Sequence, residues 1–375
     1  MNSLIQRLPI NPAPKAVAAG RGKRVAARVG CVLLGTGLGV LASDRYLQTF
    51  DPLGTVYFRD VARYQQGAIQ PIESAVHPGG RLFENLPNRI TEFSNFTFET
   101  DGFGLREPSA TEDIVPSRAA DRAAGRGRRI LLLGDSVTFG WGVPAEESWA
   151  ELLEGHWLDD QRRPLRVMNA GHLMYDTTQE VDWAVAHAKA LEPDVIAVTL
   201  IANDLRRTWN QLQGILERMS ENPERERGLR GWARGNFRGL DALRQFVKAR
   251  SFLKEHREDA RPVAERPETL DGWPFMQSAL LRLQELCGEL ECELILLDHA
   301  TPPVPELAAF CEQHGIARAP AAWTPAEWAQ PIRLSPTDYH ANALGNRILA
   351  TKFARALFDQ GWLASAEPES PLLAE

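Results

Sequence analysis

Residues 129–149 read RILLLGDSVTFGWGVPAEESW. A run of four apolar residues, Ile130–Leu133, breaks at Gly134-Asp135-Ser136. Turn-permissive residues follow at Gly140, Gly142 and Pro144, and a helical pattern begins at Glu146. An apolar run this short, bounded by turn signals, reads as a buried strand of a parallel sheet. A serine just past the carboxyl end of such a strand stands where open α/β sheets place their ligands. A helix starting close behind it would offer free N–H groups and a dipole that favour negative charge. That is the setting an acyl-transfer nucleophile needs. A Gly-Asp-Ser turn also joins strands to helices with no chemistry attached, so the rest of the chain decides.

Downstream, strands and helices alternate. Leu165–Met168 is a second strand, ending in Asn169-Ala170-Gly171; Val195–Leu200 is a third, ending in Ala202-Asn203-Asp204; Leu294–Leu297 is a fourth. Helices are expected over Glu147–Trp157, Thr177–Ala190, Phe275–Leu290, Pro305–His314 and Ala341–Gln360. This rhythm predicts a parallel sheet covered on both faces. Parallel strands end on one edge, so Ser136, Gly171 and Asn203 converge there. The segment SPTDYHANALGN, residues 335–346, places Asp338 and His340 two apart, able to face one way in an extended chain. The carboxylate would hold the imidazole tautomer while the other nitrogen faces Ser136. The N–H groups of Ser136 and Gly171 and the amide of Asn203 are the candidate oxyanion donors. Taken singly, Gly171 also reads as an ordinary turn glycine and Asn203 as a helix cap. His172 and His299, near predicted strand ends, are reserve candidates for the base.

GDSV at 134–137, NAG at 169–171, AND at 202–204 and DYHANALG at 338–345 together resemble the ordered blocks of the SGNH, or GDSL-type, hydrolases. The resemblance spans roughly 128–363 apart from an insertion. It implies a three-layer α/β/α sandwich with a parallel sheet of roughly five strands. It also implies Ser136 as nucleophile, Gly171 and Asn203 completing the oxyanion hole, and Asp338 and His340 as acid and base. Members hydrolyse esters of lipids, acyl-thioesters or acetylated sugars, and some transfer acetyl groups. Two departures stand out. Many members place the acid three residues before the histidine, where this chain has Thr337. Block two continues with the bulky His172-Leu173-Met174-Tyr175, which would narrow the acyl pocket or replace a flexible loop.

The remaining sequence sets the context. Of 375 residues, 44% are hydrophobic and 24% charged, as in a chain with a packed core. The net charge of −7 includes six basic and no acidic residues in the first 28, so the remainder carries about −13, which argues against nucleic-acid binding. The basic start followed by the uncharged Val29–Ser43 has the form of a signal sequence, with a cleavage site after Ala42, or of an uncleaved anchor. Both place the catalytic domain outside the cytoplasm. The expected organisation is an n-region and anchor over 1–43, then juxtamembrane helices, a small β element and a linker over 44–127. A hydrolase domain follows over 128–363 and a tail over 364–375. Within 44–127, Ile90–Leu105 reads as a strand or hairpin beside the main domain and Glu107–Gly127 as a flexible linker.

The insertion, about 205–264, is arginine-rich with an apolar stripe through Phe237, Leu240, Leu243 and Phe246. It reads as a helical cap on the catalytic edge, or as a basic lid that meets anionic lipid or acidic polysaccharide. Cys287 and Cys292 flank a short turn and read either as a disulfide or as separate thiols. No metal or organic cofactor is called for. The expected substrate is a small-molecule, glycan or lipid ester, with the membrane as the other contact. An O-acetyltransferase acting on polysaccharide and a catalytically silent envelope module are the alternatives.

Overall fold

A computed structural model describes residues 17–50, 55–108, 117–205, 214–216, 272–301, 303–335 and 338–368. The chain opens with helix α1 (Val17–Phe50). Its Lys23–Ser43 stretch is 21 residues of mean hydropathy 1.8, with none of it buried. At 1.5 Å per residue that length crosses a hydrocarbon core of about 30 Å; a signal sequence shares the signature. Helix α2 (Thr55–Gly67) leads into the hairpin β1 (Ile69–Glu73) and β2 (Arg81–Asn85). The strands β3 (Ile90–Glu92), β4 (Thr97–Thr100) and β5 (Arg106–Glu107) precede a short helix α3 (Arg118–Ala123).

The alternating part then runs β6 (Arg129–Gly134), α4 (Ser136–Phe139), α5 (Trp149–His156), β7 (Arg166–Gly171), α6 (Thr177–Leu191) and β8 (Val195–Leu200). After the insertion come α7 (Trp273–Leu290), β9 (Glu293–Asp298), α8 (Pro305–His314), β10 (Ala317–Pro320), α9 (Pro325–Trp328) and α10 (Ala343–Asp359). One eight-stranded sheet has the order β10-β9-β8-β6-β7-β5-β4-β3. Its first five members pair in parallel, and β5, β4 and β3 add antiparallel strands beyond β7. Strand β6 lies at the point where the order reverses, so the loop after it opens onto the crevice that such sheets use for ligands.

Side-chain alternation divides β6 between two cores. Leu131 and Leu133 pack with Val181, Ala184, Leu280, Leu283 and Leu307, from α6, α7 and α8. Ile130 and Leu132 pack with Trp149, Leu153, Phe353 and Leu357, from α5 and α10. The result is the expected three-layer α/β/α sandwich with five parallel strands at its centre. Strand β10, four residues long and ending in Pro320, is too short and too little buried to carry a pattern that would have marked it in the sequence.

Upstream of Arg128 the structure differs from the expected boundary. Residues 90–107 hold the expected hairpin, β3 with β4, but they continue the sheet of the main domain instead of lying beside it, with Arg106 opposite Asn169 of β7. The expected linker contains α3, capped by the Ser117 side chain. Asp121 in α3 is buried and paired with the equally buried Arg129 at the start of β6, and Arg166 Nη2 lies 3.4 Å from it. Buried charges persist only when paired, so this cluster fastens the segment to the sheet. Cys287 and Cys292 are free thiols. Of the proposed lid, 206–213 and 217–264 lie outside the described residues; Ile215 joins the core that contains α6 and α7.

Candidate active site

The nucleophile candidate owes its position to two close approaches. Gly134 ends β6 with φ of 158°, and a Cβ there would sit 2.0 Å from Thr138 Oγ1. Only glycine lets the chain double back at that point. Asp135 then caps α4, its Oδ1 accepting the Val137 N–H at 2.9 Å. The turn leaves Ser136 as the first residue of α4, 9% exposed. From α5, Trp149 Nε1 donates to the Val137 carbonyl at 3.0 Å, and the Trp149 main-chain N–H donates to Asn346 Oδ1 at 3.1 Å. The serine turn is thereby tied to α5 and α10.

Asp338 and His340 sit in the loop before α10, which Asn342 caps through the Gly345 N–H. The loop is folded on itself: the Leu334 N–H donates to the His340 carbonyl at 2.9 Å, and the Asp338 N–H to Ser335 Oγ at 2.9 Å. Asp338 Oδ1 accepts the His340 N–H at 3.1 Å and lies 2.6 Å from His340 Nδ1. On the other side of the ring, His340 Nε2 lies 2.8 Å from Ser136 Oγ. The three side chains thus form one hydrogen-bonded chain. With Nδ1–H donated to Asp338, Nε2 accepts the serine proton.

Charge shifts follow this arrangement. Burial opposes a charge on the imidazole, yet the Asp338 carboxylate and, further off, Asp135 outweigh it and hold His340 above its ordinary pKa. Burial likewise opposes charge on Asp338, but His340 holds it below the usual carboxylate range. Asp135 is raised by burial despite the Val137 N–H, and its Oδ2 lies 3.1 Å from Ser136 Oγ.

The other expected site residues fall differently. Gly171 ends β7 next to the serine turn, where a Cβ would lie 2.2 Å from the Phe139 nitrogen. Its N–H, expected to face an oxyanion, is donated to Asn169 Oδ1 at 3.0 Å. The glycine is therefore required for backbone contact with α4, and its N–H is occupied. Asn203 lies in a short 3-10 turn, Ala202–Leu205; its side chain is outside the described residues. The turn is held by Asp204, whose Oδ2 accepts the Ile201 N–H at 2.7 Å. Burial lifts Asp204 and Glu180 of α6 well above the ordinary carboxyl range, and Asp204 adds to the effect on Glu180.

His172 is buried, its Nδ1 2.9 Å from the Ala170 carbonyl and its pKa pushed down to about 4 by burial. His299 is buried with Nδ1 2.8 Å from the Ala321 carbonyl. Neither joins the Ser136 chain. The bulk of block two is used against the N-terminal layer: Tyr175 donates its hydroxyl to the Phe83 carbonyl and stacks on His172.

Two residues of the site had no signal in the sequence. Arg106 of β5, 1% exposed, donates Nη1 to the Phe139 and Gly140 carbonyls and Nη2 to the Val143 carbonyl. It clamps the loop that leaves the serine helix, and burial lowers its pKa to about 10. Tyr57 of α2 stacks on His340, with ring centroids 5.6 Å apart and planes 29° apart. Neither a two-residue strand nor a lone tyrosine in an amphipathic helix carries a periodicity that points to a site. Among the described residues no group of three or more His, Cys, Asp or Glu is placed to hold a metal ion.

Fold and site together define an α/β protein with a serine–histidine–aspartate chain on the carboxyl edge of its parallel strands. Among solved structures it is similar to one described as a lipolytic protein of the G-D-S-L family from Desulfitobacterium hafniense DCB-2, at 12% identity and TM-score 0.37, covering 62% of this chain and 100% of that one. A catalytic mutant of the acetylxylan esterase Axe2 from Geobacillus stearothermophilus matches at 14% identity and TM-score 0.35, over 62% of this chain and 95% of the other. The psychrotrophic esterase EstA from Pseudoalteromonas sp. matches at 12% identity and TM-score 0.37, over 62% and 98%. No family model and no curated protein matches the sequence.

Proposed function

We propose that this chain is a serine esterase of the SGNH type, anchored by its N-terminal apolar helix with the catalytic part outside the cytoplasm. The observation that carries the proposal is the unbroken chain from Asp338 through His340 to Ser136, at 2.6 and 2.8 Å. As Ser136 Oγ attacks an ester carbonyl, His340 Nε2 takes its proton and Asp338 stabilises the imidazolium. The Ser136 N–H, at the start of α4, and the Asn203 amide would face the oxyanion, each such donor being worth about 3–4 kcal/mol. Collapse expels the alcohol, which takes the proton from His340. Water, deprotonated by His340 in turn, then releases the acyl group from Ser136.

The test uses the full chain in detergent micelles beside Ser136→Ala, with short- and long-chain aryl esters and a serine-reactive phosphonate. Turnover and labelling are expected in the wild type and absent in Ser136→Ala. A wild type that neither turns over nor labels would overturn the esterase reading. Transfer of the acyl group to an added oligosaccharide, in place of free acid, would reassign the enzyme as an acyltransferase using the same residues.

A further inference from the structure

The imidazole of His340 has two polar tethers, Asp338 on Nδ1 and Ser136 on Nε2. The second is broken and remade in each cycle, because Nε2 takes the serine proton and passes it on. Something else must keep the ring in plane while that bond is exchanged. The structure shows an aromatic corner in which the ring sits. Tyr57 covers it at 5.6 Å and 29°, and Trp141, from the loop after α4, lies at 6.3 Å and 50°. Tyr57 and Trp141 brace each other edge to face at 5.8 Å and 79°.

Tyr57 is itself fixed from outside the central domain. Asp60, one turn further along α2, is 3% exposed; its Oδ2 accepts the Ser94 N–H at 2.9 Å and its Oδ1 the Ser94 hydroxyl at 2.8 Å. Tyr64, two turns along, donates its hydroxyl to Asn85 Oδ1 at 2.6 Å, and Asn85 Nδ2 in turn reaches the Gly171 carbonyl at 3.2 Å. Helix α2 is therefore pinned to β2, to the β3–β4 turn and to the end of β7. It begins at Thr55, shortly after the apolar stretch ends at Ser43.

Resting on the esterase reading above, we propose that Tyr57 is a positioning residue for His340. The helix next to the membrane-compatible segment supplies the ring that holds the catalytic imidazole on Ser136, and so belongs to the catalytic unit. A stacked aromatic face restrains rotation of the imidazole and favours its protonated form, since the face of the phenol is electron-rich. The phenol remains neutral while it does so, because burial and the facing Asp338 and Asp135 carboxylates all oppose a phenolate. These two carboxylates are also the charged groups that act on His340 itself.

The experiment compares wild type, Tyr57→Phe, Tyr57→Leu and Tyr57→Met as full chains in detergent. Ester turnover is measured across pH, and the ring resonances of His340 are followed by 1H–15N NMR. Tyr57→Phe keeps the ring and is expected to keep kcat and the His340 resonances close to wild type. Tyr57→Leu and Tyr57→Met are expected to lower kcat roughly tenfold, equivalent to about 1.4 kcal/mol of barrier, with KM little changed. In both, His340 should lose the ring-current displacement that a stacked neighbour imposes. Methionine, close to tyrosine in reach and flexible enough to fill the gap, serves if leucine fails to fold. Wild-type kcat and wild-type His340 resonances in the ringless variants would overturn the proposal. So would a loss in Tyr57→Phe as large as in Tyr57→Leu, which would assign the effect to the hydroxyl. An inactive wild type would sink the esterase reading instead, and the His340 resonances would still decide whether Tyr57 holds the ring.

Discussion

Replacing Arg106 by methionine tests whether the strand that sequence placed outside the catalytic domain holds the serine loop in place. The guanidinium donates to three main-chain carbonyls, of Phe139, Gly140 and Val143, and stacks against Phe96 and Phe139 at 5.5 and 5.1 Å. Hydrogen bonds to a charged group contribute about 1.5–3 kcal/mol each, and a buried acceptor left without a donor costs about 1–3 kcal/mol. Against this, removing Arg106 also removes a buried charge. Among the described residues no carboxylate lies within ion-pair distance of it, and its Nε has no partner. The desolvation cost so recovered offsets about half of the loss, leaving a net destabilisation of about 3 kcal/mol. That is a large share of a total stability of about 5–15 kcal/mol.

The assay is urea unfolding of the full chain in detergent, followed by tryptophan fluorescence, with aryl-ester turnover measured well below the midpoint. The midpoint should fall and turnover should fall with it, because Gly140 is both a clamp acceptor and the C-cap of the serine helix. Lysine at 106 should recover only part, since one ammonium cannot serve three carbonyls as a planar fork does. A change in stability under about 0.5 kcal/mol, with turnover unaltered, would refute the clamp and show that water satisfies those carbonyls.

Three further outcomes are expected. Asp338→Asn should lower kcat by a factor of about 10³–10⁴. Because Asp338 raises the pKa of His340, and the base must be neutral to act, the acid limb of the residual pH–rate profile should move to lower pH; an unmoved limb would place the coupling elsewhere. Gly171→Ala should cost at least about 1–3 kcal/mol and most of the activity, since the new methyl group meets the Phe139 nitrogen at 2.2 Å and α4 must shift; thermal melts and turnover check both. Asp121→Asn should strand the buried Arg129 and cost about 3–5 kcal/mol in chemical denaturation, whereas a freely moving linker would register no effect.

Much of the parallel half of the sheet was legible because its strands are buried on both faces. Ile130–Leu133 and Val195–Val198 therefore carry unbroken apolar runs. The serine, aspartate and histidine were legible because each stands at a fixed offset from a strand end or a helix start. The N-terminal apolar helix was legible from length and charge alone. The antiparallel extension was not, since β5 has two residues and its place depends on Asn169, 63 positions on from Arg106 in the chain. The helix inside the expected linker was hidden for a related reason: Asp121 reads as a solvated charge until Arg129 and Arg166 are brought to it.

Which residue types line up on the carboxyl edge could be read along the chain, because strand ends are local features that composition and spacing express. What those residues face was set by packing in three dimensions. It turned the Gly171 N–H toward Asn169, set Arg106 under the serine loop and laid Tyr57 on His340. Such contacts join segments far apart in the chain, and each depends on packing that the residues of one segment do not encode.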